Sequence, residues 1–253
     1  MSTIATRRVE SPNAPPSTGY RSQAIDHDGY LFCGGQVGAP FTGEPISADR
    51  VVSGPLAEQV RICLEHLRAV TDTAGGDRTV VEVSAFIAQP DSRAEVERVV
   101  ADFLGHPPAV LHYEEVETVA LRGLVEMDWI AVPADRVATA AEVVAPMGSH
   151  DRPGEIVRSG SFTLVNGLLG HGDTLGEATE HVFAVAARTL ATVDLELADI
   201  LKMTVFIDEF DTYPQFNEAT KAILDDDLPP TRSVLVAPAI TGSARIRIDV
   251  VAR

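Results

Sequence analysis

The sequence predicts an α+β fold made of two tandem domains, each a β-sheet with two helices on one face. One order of strand and helix patterns occurs twice along the 253 residues. Residues 83–87 (VSAFI) are similar to residues 203–207 (MTVFI), about 120 positions later. A proline pair, Pro107-Pro108 or Pro229-Pro230, follows the second helix pattern of each half. A repeat of this length indicates duplicated domains rather than a solenoid.

The first half begins with an extended run, Tyr30–Cys33, that ends at two glycines. A helix is predicted from Pro55 to Ala74, because apolar residues recur there at i, i+3, i+4 and i+7 and Gly75-Gly76 follows. The remaining patterns predict a strand over 80–87, a helix over 93–104, and strands over 109–117 and 121–132.

The second half repeats this order, beginning with the run Phe162–Val165 before Asn166-Gly167. The patterns predict helices over 175–193 and 213–225, and strands over 201–207, 232–237 and 244–251.

These patterns set the expected domain boundaries. Residues 1–18 are rich in Pro, Ser and Thr without periodicity and predict a flexible N-terminal arm. The first domain covers 19–133 and the second 153–253. Residues 134–152 are a linker whose Ala/Val run fits either a short helix or a plain connection.

Composition excludes several classes of partner. The formal charge of −17 disfavours nucleic acids and anionic membranes, whose binding depends on positive charge. No stretch of about 20 apolar residues predicts a membrane span. Two cysteines, Cys33 and Cys63, form neither a disulfide framework nor a metal motif. Because no signal peptide is recognisable, we expect a cytoplasmic protein.

Short motifs in both halves are similar to those of a known family. In the second half they are the segment 206–211, the segment 216–219 and Pro230-Thr231-Arg232-Ser233. In the first half they are the segments 20–24 and 34–38 and the helix residues 57–59. Over residues 19–253 the chain resembles the RidA/YjgF group of imine and enamine deaminases.

The resemblance implies a chorismate-mutase-like fold with a mixed β-sheet in each domain, and neither cofactor nor metal. It also implies active sites between neighbouring domains, usually in trimers. Since two domains cannot close a three-fold ring, we expect a homo-oligomer, with three chains favoured.

The family's site residues are divided between the two halves. Arg232 corresponds to the arginine that binds the substrate carboxylate, and Asn217 to a pocket asparagine. The family's water-positioning glutamate is present as Glu126 in the first half, whereas Arg247 replaces it in the second. The resemblance therefore gives Arg232, Asn217 and Glu126 as catalytic candidates.

The substrate-binding candidates are Arg232, Tyr20, Arg21, Gly34, Asn166 and Arg247. Arg21, beside Tyr20, stands at the family's tyrosine position, and Gly34 and Asn166 stand at its serine positions. The family arginine has its first-half counterpart near Val110. Simpler roles remain open: Asn217 as a helix-surface amide, Glu126 as a sheet-edge carboxylate, and Arg247 as an outward-facing strand residue.

We expect one site per chain, built where a second half meets a first half, acting on a small carboxylate-bearing imine or enamine. Two alternatives stay open. The chain could transform another anionic substrate, by chorismatase-like hydrolysis, cyclisation or elimination. It could also bind an anionic metabolite without catalysis.

Overall fold

The computed structural model describes residues 5–44, 46, 50–147, 154–224, 227–237 and 240–253. Within these ranges each half of the chain forms one mixed β-sheet covered on one face by two helices. The predicted fold class is thereby confirmed.

The first half contains a six-stranded sheet in the order β1-β2-β3-β6-β4-β5. Strands β4 and β5 are parallel and all other neighbours are antiparallel. Its elements are β1 (Thr6–Val9), β2 (Ala24–His27), β3 (Tyr30–Val37), α1 (Leu56–Ala74), β4 (Arg78–Ile87), α2 (Arg93–Leu104), β5 (Val110–Glu115) and β6 (Val125–Pro133).

The second half forms a five-stranded sheet in the order β10-β9-β11-β8-β7, with β9 and β10 parallel. Its elements are β7 (Ile156–Ser159), β8 (Phe162–Gly170), α4 (Leu175–Ala191), β9 (Ile200–Ile207), α5 (Tyr213–Leu224), β10 (Thr231–Val236) and β11 (Ile246–Ala252). Helix α4 starts at a capping box in which Thr174 and Glu177 bind each other's backbone N–H groups. None of the described helices is long and apolar enough to cross a membrane.

The described part of the predicted flexible arm, residues 5–18, is instead built into the first domain. Strand β1 pairs with β2 at the edge of the sheet. Beyond it, the buried Gln23 side chain accepts a hydrogen bond from Ser11 N at 2.5 Å and donates one to Pro15 O at 2.7 Å. The Gln23 side chain thus supplies hydrogen-bond partners to the backbone of a proline-rich segment whose sequence has no helix or strand periodicity.

The predicted linker contains a helix, α3 (Val137–Val144), in the Ala/Val run. Its buried residues Ala140 and Val144 belong to an apolar cluster that both halves share. The remaining linker residues from 148 onward, and the expected domain start at 153, lie outside the described residues.

The two sheets pack against each other through the faces opposite to their helices. One shared apolar cluster includes Phe32 and Ile130 from the first half and Phe162 and Leu164 from the second. A smaller one contains Phe86 and Phe206, Val116 and Val119, and Leu235. Between these clusters the interface is polar, with the buried Glu82 and Ser84 on β4 and Lys202 and Thr204 on β9.

Candidate active site

A cavity of about 610 Å³ lies between the two halves and is lined by residues from both. Strand β3 and the chain before β2 contribute Gly35 and Arg21, and β6 contributes Glu126. The second half contributes Arg232 from β10 and Tyr213 from α5.

Arg232 is 1% exposed, and its guanidinium is held by the second half. Its Nη2 donates to Tyr213 Oη and to Asn217 Oδ1, both at 2.7 Å. Its Cζ lies 5.0 Å from the centre of the Phe216 ring. Within the described part of the chain, Arg232 Nε and Nη1 have no acceptor. A buried cation with unused donors beside a cavity is suited to an anionic ligand.

Asn217 joins this arginine to the first half. Its Oδ1 accepts hydrogen bonds from Arg232 and from the Tyr20 backbone N–H, the latter at 2.8 Å. The chain reaches this position through Gly19, which has φ +77°, and a Cβ at Gly19 would collide with Asn217 and Arg232. Asn217 and Tyr20 therefore position Arg232 from behind the cavity wall.

Arg21 is fixed across the same junction. Its Nη1 donates to Gly35 O at 2.9 Å and lies 3.4 Å from Arg232 O. Gly35 itself approaches Glu126 so closely that a Cβ there would collide with the Glu126 carboxyl and the Ser233 hydroxyl. The predicted Gly34 lies behind the wall, against the backbone of Ser22 and Arg232, so the cavity glycine is its neighbour Gly35.

Glu126 is 4% exposed, and its Oε1 accepts a hydrogen bond from Val234 N of the second half at 3.3 Å. Burial raises the pKa of Glu126 to about 7, although the nearby Arg21 charge favours the ionised form. A carboxyl group with this pKa can both accept and donate a proton near neutral pH. The first half thus supplies the glutamate and the second half the arginine.

A buried ionic network lies next to Glu126. Ser233 Oγ donates to Asp128 Oδ2 at 2.7 Å and is also hydrogen-bonded to the Glu126 carboxyl. Asp128 Oδ1 accepts from Lys202 Nζ at 2.5 Å, and Glu82 Oε2 lies 4.0 Å from the same Nζ. The network crosses the interface, because Lys202 and Ser233 belong to the second half.

The strand registers show how the two halves differ at equivalent positions. Glu126 pairs with Phe86 in the first sheet, and Arg247 pairs with Phe206 in the second. Arg232 pairs with Met203, whose first-half equivalent Val83 pairs with Leu111. Leu111, next to the expected Val110, therefore replaces the arginine in the first half.

Arg247 and Asn166, predicted as substrate-binding residues, do not line this cavity. Arg247 lies with its Cζ 3.8 Å from the Phe206 ring centre and its Nη2 3.4 Å from Glu114 Oε1. Asn166 on β8 has a buried side chain, and its backbone oxygen accepts from Gly154 N. Both belong to the second sheet, at positions equivalent to Glu126 and Gly34, and Arg247 meets the first half at Glu114 of β5.

Several cavity and network residues were not predicted from sequence: Tyr213, Gly35, Asp128, Lys202 and Ser233. Ser233 was noted only as part of the Pro-x-Arg-Ser motif, and no local pattern marks the pairing of Asp128 with Lys202. Across the described ranges, no group of three or more His, Cys, Asp or Glu side chains is placed to hold a metal ion.

The protein is a duplicated α+β domain with a cleft between the two copies. Comparison with known proteins identifies the class to which it belongs. A family model described as Endoribonuclease L-PSP matches residues 11–133 and 150–253. The chain belongs to this family, which is the RidA/YjgF group, and contains its domain twice.

Individual relatives match about half of this chain. The mitochondrial protein Mmf1 of Schizosaccharomyces pombe is 32% identical over 114 residues, 45% of this chain and 65%, less than two thirds, of that protein. The 2-iminobutanoate/2-iminopropanoate deaminase of Rattus norvegicus is 28% identical over 135 residues, 49% of this chain and 95% of that protein. The solved structure of a putative endoribonuclease from Thermotoga maritima is 30% identical, covers 50% of this chain and 96% of that one, and has a TM-score of 0.43.

Proposed function

We propose that this protein hydrolyses a 2-imino carboxylate, or the enamine that precedes it, to a 2-oxo acid and ammonia in the cleft between its halves. The observation that carries the proposal is the buried Arg232 guanidinium, whose Nε and Nη1 have no acceptor among the described residues, in the same cavity as Glu126. The activity for which the rat relative is named supports the reaction class.

In this reaction Arg232 binds the carboxylate next to the C=N carbon. Charge-assisted hydrogen bonds of this kind contribute roughly 1.5–3 kcal/mol each. Tyr213 and Asn217 fix the guanidinium, so its entropy is already lost before the substrate arrives. An enamine is first protonated on carbon, which gives the same iminium.

Glu126 transfers the protons. As water adds to the iminium carbon, the ionised Glu126 carboxylate accepts a water proton, which leaves a neutral carbinolamine. The protonated Glu126 returns that proton to the nitrogen, and the C–N bond breaks. Ammonia leaves and accepts the hydroxyl proton, so the products are the 2-oxo acid and ammonium. A pKa of about 7 allows one group to perform both transfers.

The test is to generate imines from several L-amino acids with an amino-acid oxidase and to follow the imine that semicarbazide traps. We expect the wild-type protein to accelerate hydrolysis and Arg232→Ala to abolish the acceleration. Arg98→Ala, an exposed arginine on α2 paired with Asp102, is the matched control and keeps it.

Two results would contradict the proposal. One is the absence of acceleration by the wild-type protein with every imine tried. The other is equal acceleration by the wild type and Arg232→Ala. Binding of 2-oxo acids without any turnover would favour the alternative of a non-catalytic metabolite-binding protein.

A further inference from the structure

The outer end of the cavity has a positive charge that the proposed reaction does not use. The exposed Arg50 and Arg122 line the cavity there, in addition to the half-buried Arg21 and the buried Arg232 at the inner end. Among the described residues, the carboxylates that line the same cavity are Glu126 and Asp211. Arginine thus outnumbers carboxylate in this cavity, although the chain has 37 Asp and Glu against 20 Lys and Arg.

The two segments that carry these outer arginines are fastened to each other. Val52 N donates to Leu121 O at 3.0 Å. The buried Gln59 side chain of α1 donates to Gly54 O at 3.0 Å and accepts from Leu124 N at 2.8 Å. Arg50 also donates from Nη1 to Pro40 O at 3.1 Å. These hydrogen bonds hold the segments that carry Arg50 and Arg122 in place at the outer end of the cavity.

The backbone at Arg122 adopts an unfavourable conformation. Leu121 and Arg122 have φ values of +59° and +52°, in the left-handed region that side chains disfavour. Such conformations persist where the surroundings fix them, as Val52 and Gln59 do here. The exposed Arg122 side chain makes no hydrogen bond or ion pair with the described residues and remains available to a ligand.

Apolar residues also line the cavity, among them Val37, Val51, Leu121 and Val234. A cavity of about 610 Å³ lies within the range of roughly 300–1,000 Å³ that proteins use for drug-sized ligands. An imino acid as small as 2-iminopropanoate would occupy only part of it.

We propose that the substrate is an extended dicarboxylate, with one carboxylate beside the reacting carbon at Arg232 and a second one at Arg50 and Arg122. The apolar wall accommodates the hydrocarbon segment between them. This inference rests on the proposed function for the reacting end only. The Asp211 carboxylate, which also lines the cavity, repels a second carboxylate, but the charges of Arg50 and Arg122 outweigh it.

The test measures binding without turnover. Dissociation constants are determined by calorimetry for straight-chain 2-oxo dicarboxylates of increasing length and for 2-oxo monocarboxylates of matched length. We expect the best dicarboxylate to bind about tenfold more tightly than its matched monocarboxylate. Because Arg50 and Arg122 are exposed, this preference should fall as the salt concentration rises.

Variants locate the preference. Arg122→Gln and Arg50→Gln should each lower the affinity ratio towards 1, Arg122→Lys should retain most of it, and the control Arg98→Gln should leave it unchanged. Equal affinity for matched di- and monocarboxylates in the wild type would overturn the proposal. So would a ratio that is unaffected in the Arg50→Gln, Arg122→Gln double variant.

This measurement separates the two proposals. Dicarboxylate preference without any imine hydrolysis would contradict the proposed reaction and leave the two-carboxylate site standing. Imine hydrolysis with no preference for a second carboxylate would support the proposed reaction and contradict the two-carboxylate site.

Discussion

The Ser233 hydroxyl of the second half donates a hydrogen bond to Asp128 of the first half and is also bonded to Glu126. A hydroxyl has one proton, so Ser233 can donate to only one carboxylate at a time. The protonation state of Glu126 is therefore coupled to Asp128. The hydrogen bonds that link Glu126, Ser233 and Asp128 therefore lie at the interface between the two halves.

Replacing Asp128 with Asn should lower the pKa of Glu126. The Asp128 charge raises this pKa, so its removal makes ionisation of Glu126 easier. We expect a downward shift of about one pH unit. Infrared difference spectroscopy of the carboxyl band, with Glu126→Gln as the blank, measures it without requiring activity. Asp102→Asn, on the exposed face of α2, is the control; an unchanged band position and midpoint in Asp128→Asn would contradict the coupling.

Glu126→Gln should change how stability depends on pH. In the wild type the folded state holds the Glu126 proton up to about pH 7, whereas the unfolded state loses it near 4.5. Stability contributed by this group is therefore present at acid pH and is lost as the pH rises through about 7. Glutamine does not titrate, so the variant does not undergo this loss, which is worth roughly 3 kcal/mol at pH 8.

Urea unfolding of both proteins from pH 4 to pH 8 tests this. The difference in the free energy of unfolding should be small at pH 4 and should grow in favour of Glu126→Gln until about pH 7. Parallel curves for the two proteins would show that Glu126 titrates normally.

Lys202→Met should destabilise the fold strongly. Asp128 and Glu82 are each at most 1% exposed and share Lys202 as their cation. Removing one partner of a buried ion pair typically costs about 3–5 kcal/mol. Lys221→Met, an exposed position on α5, should change the free energy of unfolding by less than about 0.5 kcal/mol. A loss in Lys202→Met no larger than in Lys221→Met would argue against this cause.

Gly19→Ala should damage both stability and carboxylate binding. The residue has a left-handed φ, and its new methyl group would displace Asn217 and Arg232. Gly43→Ala is a matched control, because Gly43 also has a positive φ but a Cβ there meets nothing within 4 Å. Both variants carry the backbone cost of about 1 kcal/mol or more. Only Gly19→Ala should also weaken binding of 2-oxobutanoate measured by calorimetry; equal binding by the two variants would contradict the role assigned to Gly19.

The parts of the fold that sequence predicted are those with a strong local pattern. Helices α1 and α2 were found to within a residue, since their apolar positions recur with helical spacing. Strands β1 and β7 were missed because each has four residues at a sheet edge and no clear alternation. Their pairing partners, rather than their own sequence, make them strands.

The candidate site likewise contains residues that a local sequence pattern predicts and residues that only the packing of the two sheets brings together. Arg232 stands in a recognisable motif, so its place in the cleft could be anticipated. The partnership of Lys202 with Asp128 could not be, because these residues are 74 positions apart and meet only when the two sheets pack. The position of Arg247 in the repeat predicts the strand that it occupies, but its contact with Glu114 forms only when the two sheets pack.

The cleft has one further consequence because both of its walls belong to one polypeptide. Two separate domains would have to find each other, and their shared site would disappear on dilution. Here the segment from β6 through α3 to β7 ties the walls together and gives them an effective concentration on the order of millimolar. The arginine and glutamate sides of the cavity should therefore remain assembled even when the protein itself is present at only nanomolar concentration.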